Sequence, residues 1–398
     1  MKPKANVLRC ACVCALMCNL QVKAFAENPG EIFLDPGAGA LSGKASSAGV
    51  QGAQGDPVVN WEMLMVLEKT RLGNIRTNQG QAPFSQVNYL DPIVQHALEV
   101  RLTPNLGVYA LSQAKSFSSG DKNRVFDGVD AQLLNLFLAW KNRDEDRIFF
   151  AGKFDFAFGE AWHRLDGIYS GFSGDYHYEG ALGLGARQSW QGSWGKTALT
   201  QIVFKRDHSV ARDTWFSRHE ELKEQSDQNG LADTPGLRSG GVSWEMAEIP
   251  GMERLRLSVD VGRVAQGYQG RRAMNAVAGT IEYRTSLADD TDVRIYGEVV
   301  NARGFDGRDV LAEDAILSVS LTSGRFIWTA TSARRRFSAS SGELASQGMT
   351  PRDRGASLAL TYASEAGPIL QAGVLRQHAQ GIAVTQITVR AIYQWAPR

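Results

Sequence analysis

The sequence predicts an all-β chain closed into an antiparallel transmembrane β-barrel of about sixteen strands. Three observations predict it. Segments of roughly 10–14 residues alternate apolar and polar positions with a period of two, where soluble strands centre on about 5–6 residues. The connectors between them alternate in length, tight at one end and mostly long at the other. Beyond the N-terminal region no stretch approaches the ~18 apolar residues of a membrane helix. In lipid, β-structure satisfies its backbone only by closing.

Lys2, Lys4 and Arg9 precede a short apolar run from Cys10 to Val22, and Ala24-Phe25-Ala26 offers a small-residue cleavage site. This is the pattern of a secretory signal peptide over 1–26, too short to span a bilayer. All four cysteines (Cys10, Cys12, Cys14, Cys18) lie inside it, so the exported chain has no disulfide to lean on. Bulky Met17 before Cys18 argues against lipid attachment there. Residues 27–56 are a Gly/Ala/Ser-rich leader, expected to be mobile. The barrel is expected over 57–398. A formal net charge of +1 argues against a nucleic-acid partner.

Strands are expected near 58–69, 93–103, 106–116, 129–141, 147–158, 177–190, 195–208, 238–248, 253–265, 273–286, 292–303, 311–322, 325–337, 354–363, 368–378 and 382–395. The tight connectors include Pro104-Asn105, Gln191-Gly-Ser-Trp194, Ser323-Gly324 and Ser364-Glu-Ala-Gly367. The interleaved set is mostly longer: 70–92, 117–128, 159–176, 209–237, 304–310 and 338–353, with 266–272 and 379–381 short. Short turns at one end and long loops at the other are the layout of outer-membrane barrels. A secreted β-sandwich has no reason to sort its loops this way.

The faces agree. One side reads Leu98, Val100, Leu102, then Leu182, Leu184, Ala186, Leu255, Leu257, Val259, Val261, Leu317, Val319, Phe326, Trp328, Leu358 and Leu360. The other carries Glu99, Asp260, Glu282, Glu298 and Asp314, with the pore-lining candidates Arg101, Lys153, Asp155, Arg187, Arg254, Arg256, Arg284, Arg294, Arg325 and Arg335. In a barrel the apolar side meets lipid and the charged side meets the bore. From Arg147 to Phe158 the even positions are Ile148, Phe150, Gly152, Phe154, Phe156 and Phe158, so Phe150, Phe154 and Phe156 are expected to face lipid and Lys153 and Asp155 the bore. The last strand ends in Tyr393 and Trp395, which resembles the C-terminal signal of bacterial barrel proteins, here followed by Ala-Pro-Arg398.

With these residues in view, the chain resembles a sixteen-stranded porin of the Gram-negative outer membrane. The likeness is most pointed in Gly152-Lys-Phe-Asp-Phe-Ala-Phe-Gly-Glu-Ala-Trp162 through Gly167-Ile-Tyr169 to Gly183-Leu-Gly-Ala186. The resemblance implies that 159–176, the third long-side loop, folds into the barrel and narrows it. Glu160, His163, Arg164, Asp166 and Asp175 are then the constriction candidates. It also implies a homotrimer, with outer-membrane lipids, lipopolysaccharide and small hydrophilic solutes as partners.

Other chemistry has little to stand on. The six histidines show no metal-ligand spacing, no Gly-x-Ser-x-Gly elbow occurs near Ser170 or Ser173, and no dinucleotide fingerprint is present, so no catalytic residue, metal or cofactor is expected. A lipid-hydrolysing barrel enzyme and a secreted β-rich binding or adhesion protein are the two alternatives. The expectation is a passive diffusion channel. Clear bore positions, counting Arg390 and Glu179, hold ten bases and seven acids, which suggests a weak anion preference. Alternation turns Arg335 inward and Arg334 and Arg336 outward. At the outer rim those two either meet lipopolysaccharide phosphates or are simply solvated.

Overall fold

The computed structural model describes residues 58–77, 80–81, 86–116, 123–126, 128–165, 175–207, 231–267, 272–339, 344, 350–364, 367–379 and 381–395. The expected signal peptide and leader lie outside them.

Sixteen strands make the wall: β1 (Val58–Thr77), β2 (Gln86–Thr103), β3 (Leu106–Ser116), β4 (Val129–Lys141), β5 (Arg147–Ala157), β6 (His177–Gly192), β7 (Gly195–Arg206), β8 (Ser239–Ala247), β9 (Leu255–Val264), β10 (Met274–Ala288), β11 (Thr291–Arg303), β12 (Leu311–Ser323), β13 (Phe326–Ser338), β14 (Arg352–Tyr362), β15 (Ile369–Ala379) and β16 (Ile382–Trp395). Each pairs antiparallel with the next. The sheet closes where β16 returns to β1, paired from Met63 opposite Trp395 to Thr77 opposite Ile382 with one register shift between Gly73 and Arg76. Closure removes the free edges that lipid would leave unpaired. Two-residue segments, Gly80–Gln81 and Arg124–Val125, add pairings beside β1 and β2 at the loop end.

Alternation sets the two faces. Leu184, Val259, Val261, Val299, Leu317, Trp328 and Leu358 are exposed on the outside. Their neighbours Arg187, Asp260, Val300, Glu298, Asp314, Thr329 and Ser357 are buried inside. An exposed apolar belt around a closed sheet is the surface a bilayer requires. Aromatic residues stand on the outer face at the turn end, where Trp140 and Phe149 meet at 5.7 Å and Phe326 meets Tyr362 at 5.3 Å.

Three expectations need correcting. The connection expected over 70–92 is mostly strand, because β1 runs to Thr77 and β2 begins at Gln86. The polar residues Arg71, Gln86 and Asn88 there belong to the outer face of strands that extend past the apolar belt, with Leu72, Val87 and Tyr89 buried inside. Arg254 and Arg325 sit in the short turns and are exposed, not on the inner wall. Alternation was extended past the strand ends, where a turn breaks the parity. Lastly, Phe150 and Phe154 are 3% and 1% exposed and lie inside the barrel, and Phe156 packs with them. Phe149, at 53%, is the lipid-facing neighbour. Two apolar faces look alike in sequence, and only the fold says which one meets lipid.

Candidate permeation site inside the barrel

The tip of the β5–β6 hairpin bends into the barrel. Gly152 has φ 140° and Gly180 φ 64°, and the ladder between the strands shifts register at Phe154/Phe156. A side chain at Gly152 would run into the Phe137 Cα at 2.7 Å, so glycine is required by conformation and space alike. Asp155 accepts the Gly180 N–H at 2.8 Å across the bend. Lys153 lies 3.4 Å from Asp207, and His177 Nε2 lies 3.8 Å from Asp155, all of them buried side chains.

Glycines on the inner wall receive the bent tip. A Cβ on Gly262 of β9 would sit 2.5 Å from the Phe158 ring, and one on Gly241 of β8 2.8 Å from the Phe156 ring. Gly185 of β6 offers the same bare backbone to Phe150. Rings then continue edge to face from Phe137 through Phe150 to Phe154, with centroids 6.1 and 5.1 Å apart. Across the barrel Tyr176, Phe305 and Phe337 carry the same packed cluster to β13. Such rings contribute both buried area and preferred edge geometry.

Polar contacts pin the segment that follows. Gly159 N–H donates to Asp260 on β9 at 2.8 Å. Glu298 on β11 accepts from Glu160 N–H at 2.6 Å, Ala161 N–H at 2.7 Å and the Tyr296 hydroxyl at 2.8 Å. These donors include free N–H groups of the one-turn helix α1 (Ala161–Arg164). Ala161 and Leu165 pack with Tyr296, Ile316, Ala333, Ala359 and Leu375, so the segment reaches the inner faces of β11 through β15. At its far end Asp175 accepts from Arg335, which also grips Asp314 at 2.8 and 2.7 Å. The Arg335 guanidinium lies 5.0 Å from the Phe305 ring and 5.5 Å from that of Tyr176.

The charged candidates form a chain. Arg187 donates to Glu245 at 3.0 Å, Glu245 accepts from Arg256 at 2.6 Å, and Arg256 lies 3.4 Å from Glu160. Glu160 in turn holds Arg164 at 2.9 Å. Burial works against the Glu160 carboxylate, but Arg256 and Arg164 outweigh it and hold its pKa at about 2. Arg284 and Arg294 converge on Glu282 at 2.6 and 2.9 Å, and Arg101 pairs with Glu99 at 2.9 Å near the turn-end mouth. Asp166 lies outside the described residues, as does the His163 side chain. Among the described residues no group of three or more His, Cys, Asp or Glu side chains is placed to hold a metal ion.

Sequence reasoning missed Asp260 and Glu298 as anchors, and it missed Glu245 altogether. The available signal was glycine at inward strand positions 185, 241 and 262, because glycine inside a strand marks close approach by something else.

Known structures repeat this architecture. OprB of Pseudomonas putida aligns with a TM-score of 0.54 at 8% identity, covering 85% of this chain and 94% of that one. The outer-membrane channel DcaP of Acinetobacter baumannii gives 0.53 at 9%, covering 86% and 99%. The chain has the sixteen-stranded porin fold. OmpT of Vibrio cholerae, an outer-membrane protein, aligns at 0.50 with 8% identity, covering 87% and 99%. No family model and no curated protein sequence matches the chain. At identities of 8–9% these likenesses establish the fold alone.

Proposed function

We propose that the barrel is a passive diffusion channel for small hydrophilic solutes, narrowed by the inserted residues 158–165 and 175–176 and performing no chemical step. The observation that carries the reading is the seating of this segment. It is held by Asp260 and Glu298 at one end and Arg335 at the other, on the inner faces of β9 to β13. The facing wall, from β16 through β1 to β4, presents Gln386, Thr388, Thr70, Gln95, Gln113, Gln132 and Asn135 inward. These side chains are buried, and some bond one another along the wall: the Thr70 and Thr388 hydroxyls lie 2.9 Å apart, and Gln386 donates to Thr388 at 2.9 Å.

The expected anion preference rested on ten inward bases against seven acids. Glu68, Asp91, Asp130, Glu245 and Asp353 are also buried on the inner face. The bases meanwhile sit on acids: Arg390 on Glu68, Arg187 on Glu245, Arg335 on Asp314 and Lys153 on Asp207. Paired charges make no ring of one sign. The channel proposed here therefore discriminates weakly between small ions of either sign. A reversal potential near zero in a salt gradient across a planar bilayer is the expected result. A potential close to the Nernst limit for either ion would overturn this part of the reading. The trimer belongs to the same proposal, and chemical cross-linking in intact membranes reads it.

A further inference from the structure

Four aliphatic side chains face the bore in one row across the closing seam. Ile369 on β15 stands opposite Ile392 on β16, Ile392 opposite Val66 on β1, and Val66 opposite Ile93 on β2. Leu64 joins them one inward repeat closer to the turns, and the five pack as a cluster of their own. Polar groups flank the row on both sides. Arg390 donates to Glu68 and Gln371 on the loop side, and Gln394 donates to Glu62 on the turn side.

An apolar row is out of place on this wall. A sixteen-stranded barrel is wide enough to hold water, and aliphatic side chains left facing water forfeit the stabilisation that burial gives. Yet Val66, Ile93 and Ile392 are 0%, 2% and 3% exposed. Among the described residues the inserted segment does not join them. Its cluster on this wall holds Ala359, Leu375 and Ala379, all on the loop side of the row, and its far end is held by Asp175 on Arg335. Leu375 stands six residues up β15 from Ile369.

The row lies toward the turn end, where β1 begins. From Val58 to Val66 is eight residues, which a tilted strand converts to about 20 Å of height. The chain that precedes Val58 is therefore delivered at the mouth below the row, and it continues into one of the row's own strands. In residues 27–57 bulky apolar side chains come together only at Ile32-Phe33-Leu34, between Glu31 and Asp35. Residues 35–57 are mostly glycine, alanine and serine, and 23 residues of that composition span about 26 Å r.m.s.. The tether matches the height to be climbed and holds the triplet at about millimolar effective concentration, so a weak apolar contact suffices. We propose that Ile32-Phe33-Leu34 docks inside the bore on the row formed by Ile369, Ile392, Val66 and Ile93. The inserted segment then narrows one side of the passage and the leader the other. The effect on permeation rests on the channel proposed above, while the docking itself does not.

The test is disulfide trapping of the full-length protein in intact outer membranes. All four cysteines of the sequence lie within residues 10–18, so the leader and barrel carry none of their own. Under mild oxidation Phe33→Cys with Ile369→Cys should form an intramolecular bond, seen as faster migration of the boiled, unreduced chain. Its yield should be at least tenfold above that of Phe33→Cys with the outward-facing Val374→Cys. Phe172→Cys with Ile369→Cys, which asks whether the inserted segment covers the row instead, should stay at the control level. A second reading needs one cysteine only. A hydrophilic maleimide should label Ile369→Cys at least fivefold faster once Ile32, Phe33 and Leu34 are replaced by serine, changes that lie outside the barrel wall and should leave the heat-modifiable band intact. Trapping at the control level, stronger trapping through Phe172→Cys, bonds only between two chains, or equal labelling rates would each overturn the docking. Barrels that trap but do not conduct would keep the docking and discard the channel.

Discussion

Glu298 on β11 accepts the backbone N–H of Ala161 at 2.7 Å, joining residues 137 positions apart in sequence. The same carboxylate oxygen takes the Glu160 N–H and the Tyr296 hydroxyl. One inward acid thus fixes where the inserted segment crosses the barrel. Replacing Glu298 with alanine leaves three donors without this acceptor, at a cost of about 2–3 kcal/mol. The expected outcome is a lower temperature for loss of the SDS-resistant band, with larger and noisier single-channel conductance. Glu298→Gln, which keeps one acceptor oxygen, should fall between. Wild-type behaviour in E298A would contradict the anchoring role.

The wall glycines make a separate prediction. Gly262→Leu places a side chain where the Phe158 ring now lies and against the Gly240 carbonyl oxygen, and overpacking of this kind costs about 1–3 kcal/mol. Phe158→Ala opens a cavity of its own. The two together should be less damaging than the sum of the singles, which a double-mutant cycle on thermal unfolding in detergent will read. Strict additivity would mean that the Gly240 backbone oxygen, and not the ring, sets the cost at Gly262.

Most of the architecture is legible in the sequence. Alternation in Leu317, Val319, Trp328 and Leu358, with the sorting of short and long connectors, places nearly every strand within a residue or two. What alternation does not hold is a label for lipid. Phe150 and Phe154 belong to the apolar set, yet they lie inside because the hairpin tip folds in and needs an apolar seat. Glu245 and Asp353 were missed for a related reason: whether a bore charge is paired depends on strands far apart in sequence. The inserted segment was reached by resemblance, while its anchors were not, since Glu298 and Asp260 read only as two more inward acids.

The corrected facing can be checked directly. A nitroxide attached at Phe149→Cys should be accessible to oxygen dissolved in the bilayer, whereas one at Phe150→Cys should be shielded or should prevent folding. High oxygen accessibility at 150 with low accessibility at 149 would restore the lipid-facing assignment of Phe150.

The two ends of Arg335 should behave differently. Its contact with Asp314 is buried, so Arg335→Met strands a carboxylate at a cost of about 3–5 kcal/mol and should sharply reduce the folded band. Asp175 is about a third exposed, with side-chain exposure of 35%, and Asp175→Asn should cost about 0–1 kcal/mol while loosening the far end of the inserted segment. Circular dichroism melting in detergent separates the two. Equal destabilisation would contradict this division.

The central claim is that the folded barrel passes small solutes through an interior narrowed by residues 158–165 and 175–176. Single-channel recording of the full-length, heat-modifiable protein in a planar bilayer tests it most directly, beside a variant in which Ala161–Leu165 is replaced by glycine and serine. The account expects discrete, ohmic conductance steps for wild type and severalfold larger steps for the variant. Folded wild-type barrels that insert without conducting, or a variant whose steps match wild type, would contradict it.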